Sequence, residues 1–117
     1  MAAPKRVLVL EDEVIVAMDL AQTIEDDGHE VVGPFHSVET AMGALADTLP
    51  DCAVLDVNLG DGNTSEGVAE MLAGRAPFLF LTGYEMAGAT IFERFPDAER
   101  LPKPLSLDRL LDWIRTV

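Results

Sequence analysis

Short, continuously apolar runs rich in β-branched residues alternate along the chain with longer stretches of helical period, and this alternation narrows the possible folds more than any other feature. The runs are RVLVL (6–10), EVVG (30–33), CAVLDV (52–57), PFLFLT (77–82) and a weak ERL (99–101). Three of them show no alternation of apolar and polar residues. A strand with one wet face would alternate, so these strands are expected to be covered on both faces, as in a parallel sheet between two layers of helices. The pattern predicts a doubly wound, five-stranded α/β fold. Its 117 residues are expected to form one domain, 1–117, and 49% hydrophobic content is ample for a single core.

The helical stretches fall between the strands. Residues 13–27 place Val14, Ala17, Met18, Ala21 and Ile24 on one stripe, and Gly28 offers a left-handed stop. Residues 37–48 follow a Ser37 cap, and a third helix over about 64–74 can be capped by Asn63, Thr64 or Ser65. Ser106 can cap the last helix, where Leu107, Leu110, Leu111 and Ile114 fall at i, i+3, i+4 and i+7. The stretch 84–97 contains Gly88 and Pro96, so any helix there is expected to be short and marginal.

Charge and composition exclude whole classes of partner. Eight basic residues against twenty-one acidic ones give a net charge of −13, which repels nucleic-acid phosphates and anionic membrane surfaces. Cations or a basic protein surface are the expected company. The single Cys52 lies in the apolar run CAVL and has no disulfide partner within the chain; a reduced, buried thiol points to a cytoplasmic protein. No apolar stretch approaches the ~18 residues of a membrane span, and the N-terminal MAAPKRVLVLEDE has too short an apolar segment for a signal peptide.

An open parallel sheet binds its ligands at the carboxyl ends of its strands. Here Glu11 and Asp12 follow the first strand, Asp56 ends the third, Thr82 ends the fourth, and Lys103 follows the fifth within PKP. Carboxylates within ~4–6 Å of one another cannot all ionise at low cost, so such a rim needs a compensating cation. Hard oxygen ligands with room for water suit Mg²⁺, which commonly bridges to a phosphoryl group. A carboxylate nucleophile, a divalent cation, a lysine and a hydroxyl are sufficient parts for phosphoryl transfer. The product would be a mixed anhydride, whose lability makes the added charge transient and suited to signalling.

Four stretches in order, VLVLEDE, AVLDVNLGDG around Asp56, FLFLTGY with Thr82, and LPKP with Lys103 and Pro104, resemble the receiver domains of bacterial two-component response regulators. The resemblance covers essentially the whole chain, with its key positions 44 (12 to 56), 26 (56 to 82) and 21 (82 to 103) residues apart. It implies the flavodoxin-like strand order 2-1-3-4-5, and Asp56 as acceptor of a phosphoryl group from a histidine kinase. It also implies direct Mg²⁺ binding by Asp12 and Asp56, support from Glu11 through water, and a backbone carbonyl ligand from Asn58. Thr82 would hydrogen-bond the phosphoryl oxygen and Lys103 would pair with it. PFLFLTGY is further similar to the subfamily with a PFxFATGY signature, with Leu81 in place of its Ala, whose members resemble receivers paired with HWE-type histidine kinases.

On this reading the chain is a stand-alone phosphoacceptor and not an enzyme, beyond self-dephosphorylation. Its output would pass through a downstream protein or phosphotransfer partner. Receivers usually place Tyr or Phe three residues before the lysine, and here that position is Arg100. A guanidinium cannot take a ring's buried place without leaving a charge unpaired. The stretch 84–97, with Tyr84 at its entrance, is therefore the expected two-state element.

Plainer readings stand beside these. Glu13 is read as an acidic residue in the first helical turn, favourable to the helix dipole. His29 and His36 are read as loop residues, with no histidine near a strand end, and no second Asp follows Asp56 by two residues; both points weigh against a phosphatase. Phe78, Phe80, Phe92, Phe95 and Trp113 are read as packing residues, and GDG at 60–62 as a turn lacking the ending of a P-loop. Two alternatives remain: a Mg²⁺-dependent phosphohydrolase with Asp56 as nucleophile, marked by turnover of a small phosphate ester, and a phosphorylation-independent binding module, marked by failure to bind Mg²⁺.

Overall fold

The apolar runs form the strands they predict, and each strand's side chains divide between two faces with a period of two. The computed structural model describes residues 3–60, 63–83, 89–103 and 105–117. In chain order the elements are β1 (Arg6–Leu10), α1 (Val14–Asp26), β2 (Glu30–Phe35), α2 (Val38–Asp47), β3 (Cys52–Asp56), α3 (Glu66–Leu72), β4 (Phe78–Thr82), α4 (Ala89–Arg94), β5 (Glu99–Pro102) and α5 (Leu107–Thr116). All neighbouring strands pair in parallel, in the order β2-β1-β3-β4-β5. Val7, Val9, Val54, Leu79, Leu81 and Leu101 pack against Leu20 and Ile24 of α1 and against Leu110 and Ile114 of α5. On the other face Leu8, Leu10, Leu55 and Phe80 meet Leu45 of α2, Val68 and Leu72 of α3, and Ile91 of α4. Each such buried aliphatic or aromatic side chain contributes ~1.5–3 kcal/mol, which makes these two layers the main source of stability. Cys52 is buried and reduced, and burial pushes its thiol up to about 12.

Capping follows local chemistry. Ser37 Oγ accepts from the Thr40 N–H at 3.3 Å, and Ser106 Oγ from the Arg109 N–H at 3.4 Å. Gly28 lies at φ +95° just past the end of α1, where a left-handed residue closes the helix. The third helix is shorter than 64–74; Ser65 occupies its N-cap position without a side-chain bond, while Thr64 Oγ1 accepts from the Glu66 N–H at 3.4 Å. Glu13 stands at the N-cap position of α1 rather than in its first turn.

Further expectations need correction. The sheet-facing line of α1 runs through Ala17, Leu20, Ala21 and Ile24, whereas Val14 and Met18 are 52% and 61% exposed. Sequence period alone leaves the rotation of a helix undetermined when apolar residues extend round more than one side, and the sheet selected the line that brings Leu20 inward. Leu107 is likewise exposed, with Leu110 and Ile114 providing the buried line of α5. β2 extends to Phe35, two residues beyond the expected end, because a bulge interrupts its ladder: Leu8 pairs with Val32, but Leu10 pairs with Phe35. Within the bulge Gly33 adopts φ +110°, where a Cβ would stand 2.7 Å from the Phe35 nitrogen.

The segment expected to be marginal contains the short α4, tied to α3 by Arg94 at 2.6 Å from Glu66 and 3.5 Å from Glu70. Residues 84–88, with Tyr84 and Gly88, lie outside the described residues. Phe78, Phe80, Phe92 and Phe95 form a set of edge-to-face and tilted ring contacts, as packing residues should. Arg100 is exposed and lays its guanidinium 4.5 Å from the centre of the Phe92 ring. No described helix is long and apolar enough to cross a membrane.

Candidate functional site

Because all five strands run the same way, their carboxyl ends share one rim. Leu10 pairs with Leu55, which sets Glu11 beside Asp56; Asp56 pairs with Leu81, which sets Thr82 one step beyond it. One carboxylate oxygen from each of Glu11, Asp12 and Asp56 lies within 4.8 Å of the others. Lys103 Nζ donates to Asp56 Oδ2 at 3.2 Å and stands 3.5 Å from Glu11 Oε2. The Lys103 backbone N–H donates to the Thr82 carbonyl at 2.8 Å, so β4 and β5 fix each other's functional residues. The loop after β3 folds back on the rim: Asn58 Oδ1 accepts from the Gly60 N–H at 3.0 Å, and Asn58 bridges to Thr64.

Burial determines the electrostatics. Glu11 is fully buried and Asp56 is 4% exposed. Burial first, then the neighbouring Asp56 carboxylate, push Glu11 up to about 8, against smaller opposing effects of Lys103 and the Glu13 N–H. Burial also raises Asp56, outweighing the neighbouring Glu11 carboxyl and the Lys103 ammonium. For Lys103, burial works against the ammonium, but Asp56 and Glu11 overcome it and raise its pKa. Both buried carboxyls are therefore pushed toward their protonated forms, chiefly by burial. Glu11 Oε2 is buried without a hydrogen-bond partner, an uncommon state for a native polar atom. Three converging carboxylates, one with an orphan oxygen, form a donor set that fits a hard divalent cation such as Mg²⁺.

Of the residues singled out in the sequence, Glu11, Asp12, Asp56 and Lys103 are brought together by their side chains. Thr82 is brought to the same rim through its backbone, and Asn58 lies in the adjoining loop. The expectation that no histidine lies near a strand end is wrong. His36 directly follows β2, and its Nδ1 lies 3.0 Å from the Glu11 carbonyl oxygen. The bulge in β2 brought it there, and only the cross-strand register reveals the bulge. Gly60 was also missed: it adopts φ +80°, and a Cβ there would stand 3.4 Å from Asp12 Oδ2. Its one legible signal was the GDG turn. His29, at the opposite end of β2, is buried.

No protein-family model matches the chain. Among curated proteins, the transcriptional regulatory protein PdtaR of Mycobacterium tuberculosis is 32% identical over 117 residues, covering 97% of this chain and 56% of that protein. The chain thus spans just over half the length of that relative. Among solved structures, SdrG from Sphingomonas melonis is 37% identical with a TM-score of 0.78, over 96% of this chain and 94% of that one. The signal receiver domain of a modulated diguanylate cyclase from Desulfovibrio desulfuricans is 28% identical with a TM-score of 0.83, over 96% and 91% of the two chains. With the parallel 2-1-3-4-5 sheet and the acidic rim beside a lysine, these relationships show that the chain belongs to the receiver domains of two-component response regulators.

Proposed function

We propose that this receiver domain is the phosphoacceptor of a two-component phosphorelay, taking a phosphoryl group onto Asp56 from a histidine kinase in the presence of Mg²⁺. The observation that carries the proposal is the position of Asp56: buried at a strand end, 3.2 Å from an ammonium and grouped with two further carboxylates. An Asp56 carboxylate oxygen attacks the phosphorus of a phosphohistidine in line with the P–N bond. That bond breaks, its electron pair stays on the departing imidazole, which takes a proton from solvent, and an acyl phosphate forms. Lys103, already beside Asp56 Oδ2, pairs with a phosphoryl oxygen, and the Thr82 hydroxyl donates to another. Asp12 and Asp56 would hold Mg²⁺ directly, Glu11 through water, and Asn58 by its backbone carbonyl. When bound, the ion neutralises charge on the equatorial phosphoryl oxygens.

The kinase is of the HWE type on this reading, and the signal leaves through a downstream protein or phosphotransfer partner, all in the cytoplasm. The net charge of −13 supports protein partners over nucleic acid or membrane. The domain is labelled stoichiometrically and loses the group by self-dephosphorylation, without turning over a substrate. Incubation with a small acyl or amido phosphate and Mg²⁺ should add one phosphoryl group per chain by intact mass, and none to Asp56→Asn. Undiminished labelling of that variant would sink the assignment.

A further inference from the structure

The end of β2 grips Glu11 at both of its backbone polar atoms. The Glu11 N–H donates to the Phe35 carbonyl at 2.9 Å, and the Glu11 carbonyl lies 3.0 Å from His36 Nδ1. A carbonyl only accepts, so Nδ1 carries the proton. In a continued parallel ladder the Glu11 carbonyl would receive the N–H of Ser37, two residues beyond the residue whose carbonyl took the Glu11 N–H. Ser37 serves instead as the cap of α2, with its hydroxyl bound to the Thr40 N–H. The extra residue of the β2 bulge brings His36 opposite Glu11, and the imidazole substitutes for the missing amide.

That bond controls more than Glu11. The Glu11 carbonyl and the Asp12 nitrogen belong to one rigid peptide plane, so orienting the carbonyl sets the direction from which Asp12 departs. Asp12 lies between the end of β1 and the start of α1, outside both ladders. We propose that His36 is a positioning residue: through its Nδ1–H it orients the Glu11–Asp12 peptide and holds the Asp12 carboxylate in place for the divalent cation. This inference rests on the phosphoacceptor reading.

The test compares Mg²⁺ affinity by calorimetry, phosphoryl labelling at low and saturating Mg²⁺, and thermal stability across four chains: wild type, His36→Ala, His36→Gln and His36→Asn. The Asn amide nitrogen matches the position of Nδ1, whereas Gln carries its donor one bond further out. His36→Ala and His36→Gln should bind Mg²⁺ about fivefold more weakly, the size of one net hydrogen bond, while His36→Asn stays close to wild type. Saturating Mg²⁺ should restore the labelling rate of all three variants. Wild-type affinity in His36→Ala, equal losses in Asn and Gln, or labelling that saturating Mg²⁺ fails to restore would each overturn the role of His36. If His36→Ala does not fold, the Asn and Gln pair decides the question. A wild-type chain that neither binds Mg²⁺ nor labels would reject the phosphoacceptor reading and this inference with it; a wild type that does both, beside an unaffected His36→Ala, would reject only the inference.

Discussion

The two ends of the sheet assemble similar groups and leave them in opposite states. At the amino end Asp27 binds the Arg115 guanidinium and also His29 Nε2, the latter at 3.0 Å, while His29 Nδ1 accepts from the Lys5 N–H at 3.1 Å. Arg115 first, then His29, hold the Asp27 carboxyl below the usual carboxylate range. At the carboxyl end Lys103 reaches two of three clustered carboxylates, Glu11 and Asp56 are pushed upward by burial, and one Glu11 oxygen has no hydrogen bond. Charge paired within the protein serves the fold, and charge left unpaired marks where a ligand completes the balance.

The largest effect expected from breaking this contrast is at the single cation of the acidic rim. Lys103→Ala should slow labelling of Asp56 by about 100-fold, as loss of one preorganised charge partner of the transferred group does. Mg²⁺ affinity should hold or rise, because an ammonium competes with the metal for the carboxylates; a variant that lost only metal affinity would refute this role.

A smaller effect is expected from pH in the absence of metal. With Glu11 raised from 4.5 to about 8, the folded state keeps a proton that the unfolded state releases between those values. Stability without metal should therefore fall as pH rises through that window, by ~1–3 kcal/mol. Glu11→Gln should flatten the slope, and Mg²⁺ should oppose it, as thermal melts across the pH range would show. A slope equally steep in Glu11→Gln would place its origin elsewhere.

The smallest effect belongs to the paired rim. Asp27→Asn should lower the melting temperature by no more than a few degrees at neutral pH, with Mg²⁺ binding and labelling unchanged. Because the folded pKa of Asp27 lies below its ordinary value of 3.8, its contribution is present above that value and lost as pH falls through the folded pKa. The difference between variant and wild type should therefore vanish in acid. A loss of Mg²⁺ binding in Asp27→Asn would erase the functional distinction between the two rims.

Most of the architecture was legible because it depends on local periodicity. Unbroken apolar runs announced the buried central strands, and the residues that end them, Glu11, Asp56 and Thr82, had to share a rim once the strands were parallel. The rotation of α1 was not legible, since apolar residues at 14, 15 and 18 compete on paper with the line through Ala17 and Leu20. His36 and Gly60 escaped for another reason: neither belongs to a periodic pattern, and each matters only through an atom of a residue distant in the chain.

The sequence by itself determined the βα alternation, the parallel sheet and the kinds of group at the strand ends, because side-chain period and strand direction are properties of neighbouring residues. Only the tertiary structure decided that Glu11 would be sealed from water, that burial would push it and Asp56 upward in pKa, and that a bulge in β2 would bring an imidazole to the Glu11 carbonyl. Those outcomes depend on desolvation and on separations of a few ångströms between elements far apart in the chain, and no local pattern of residues encodes either.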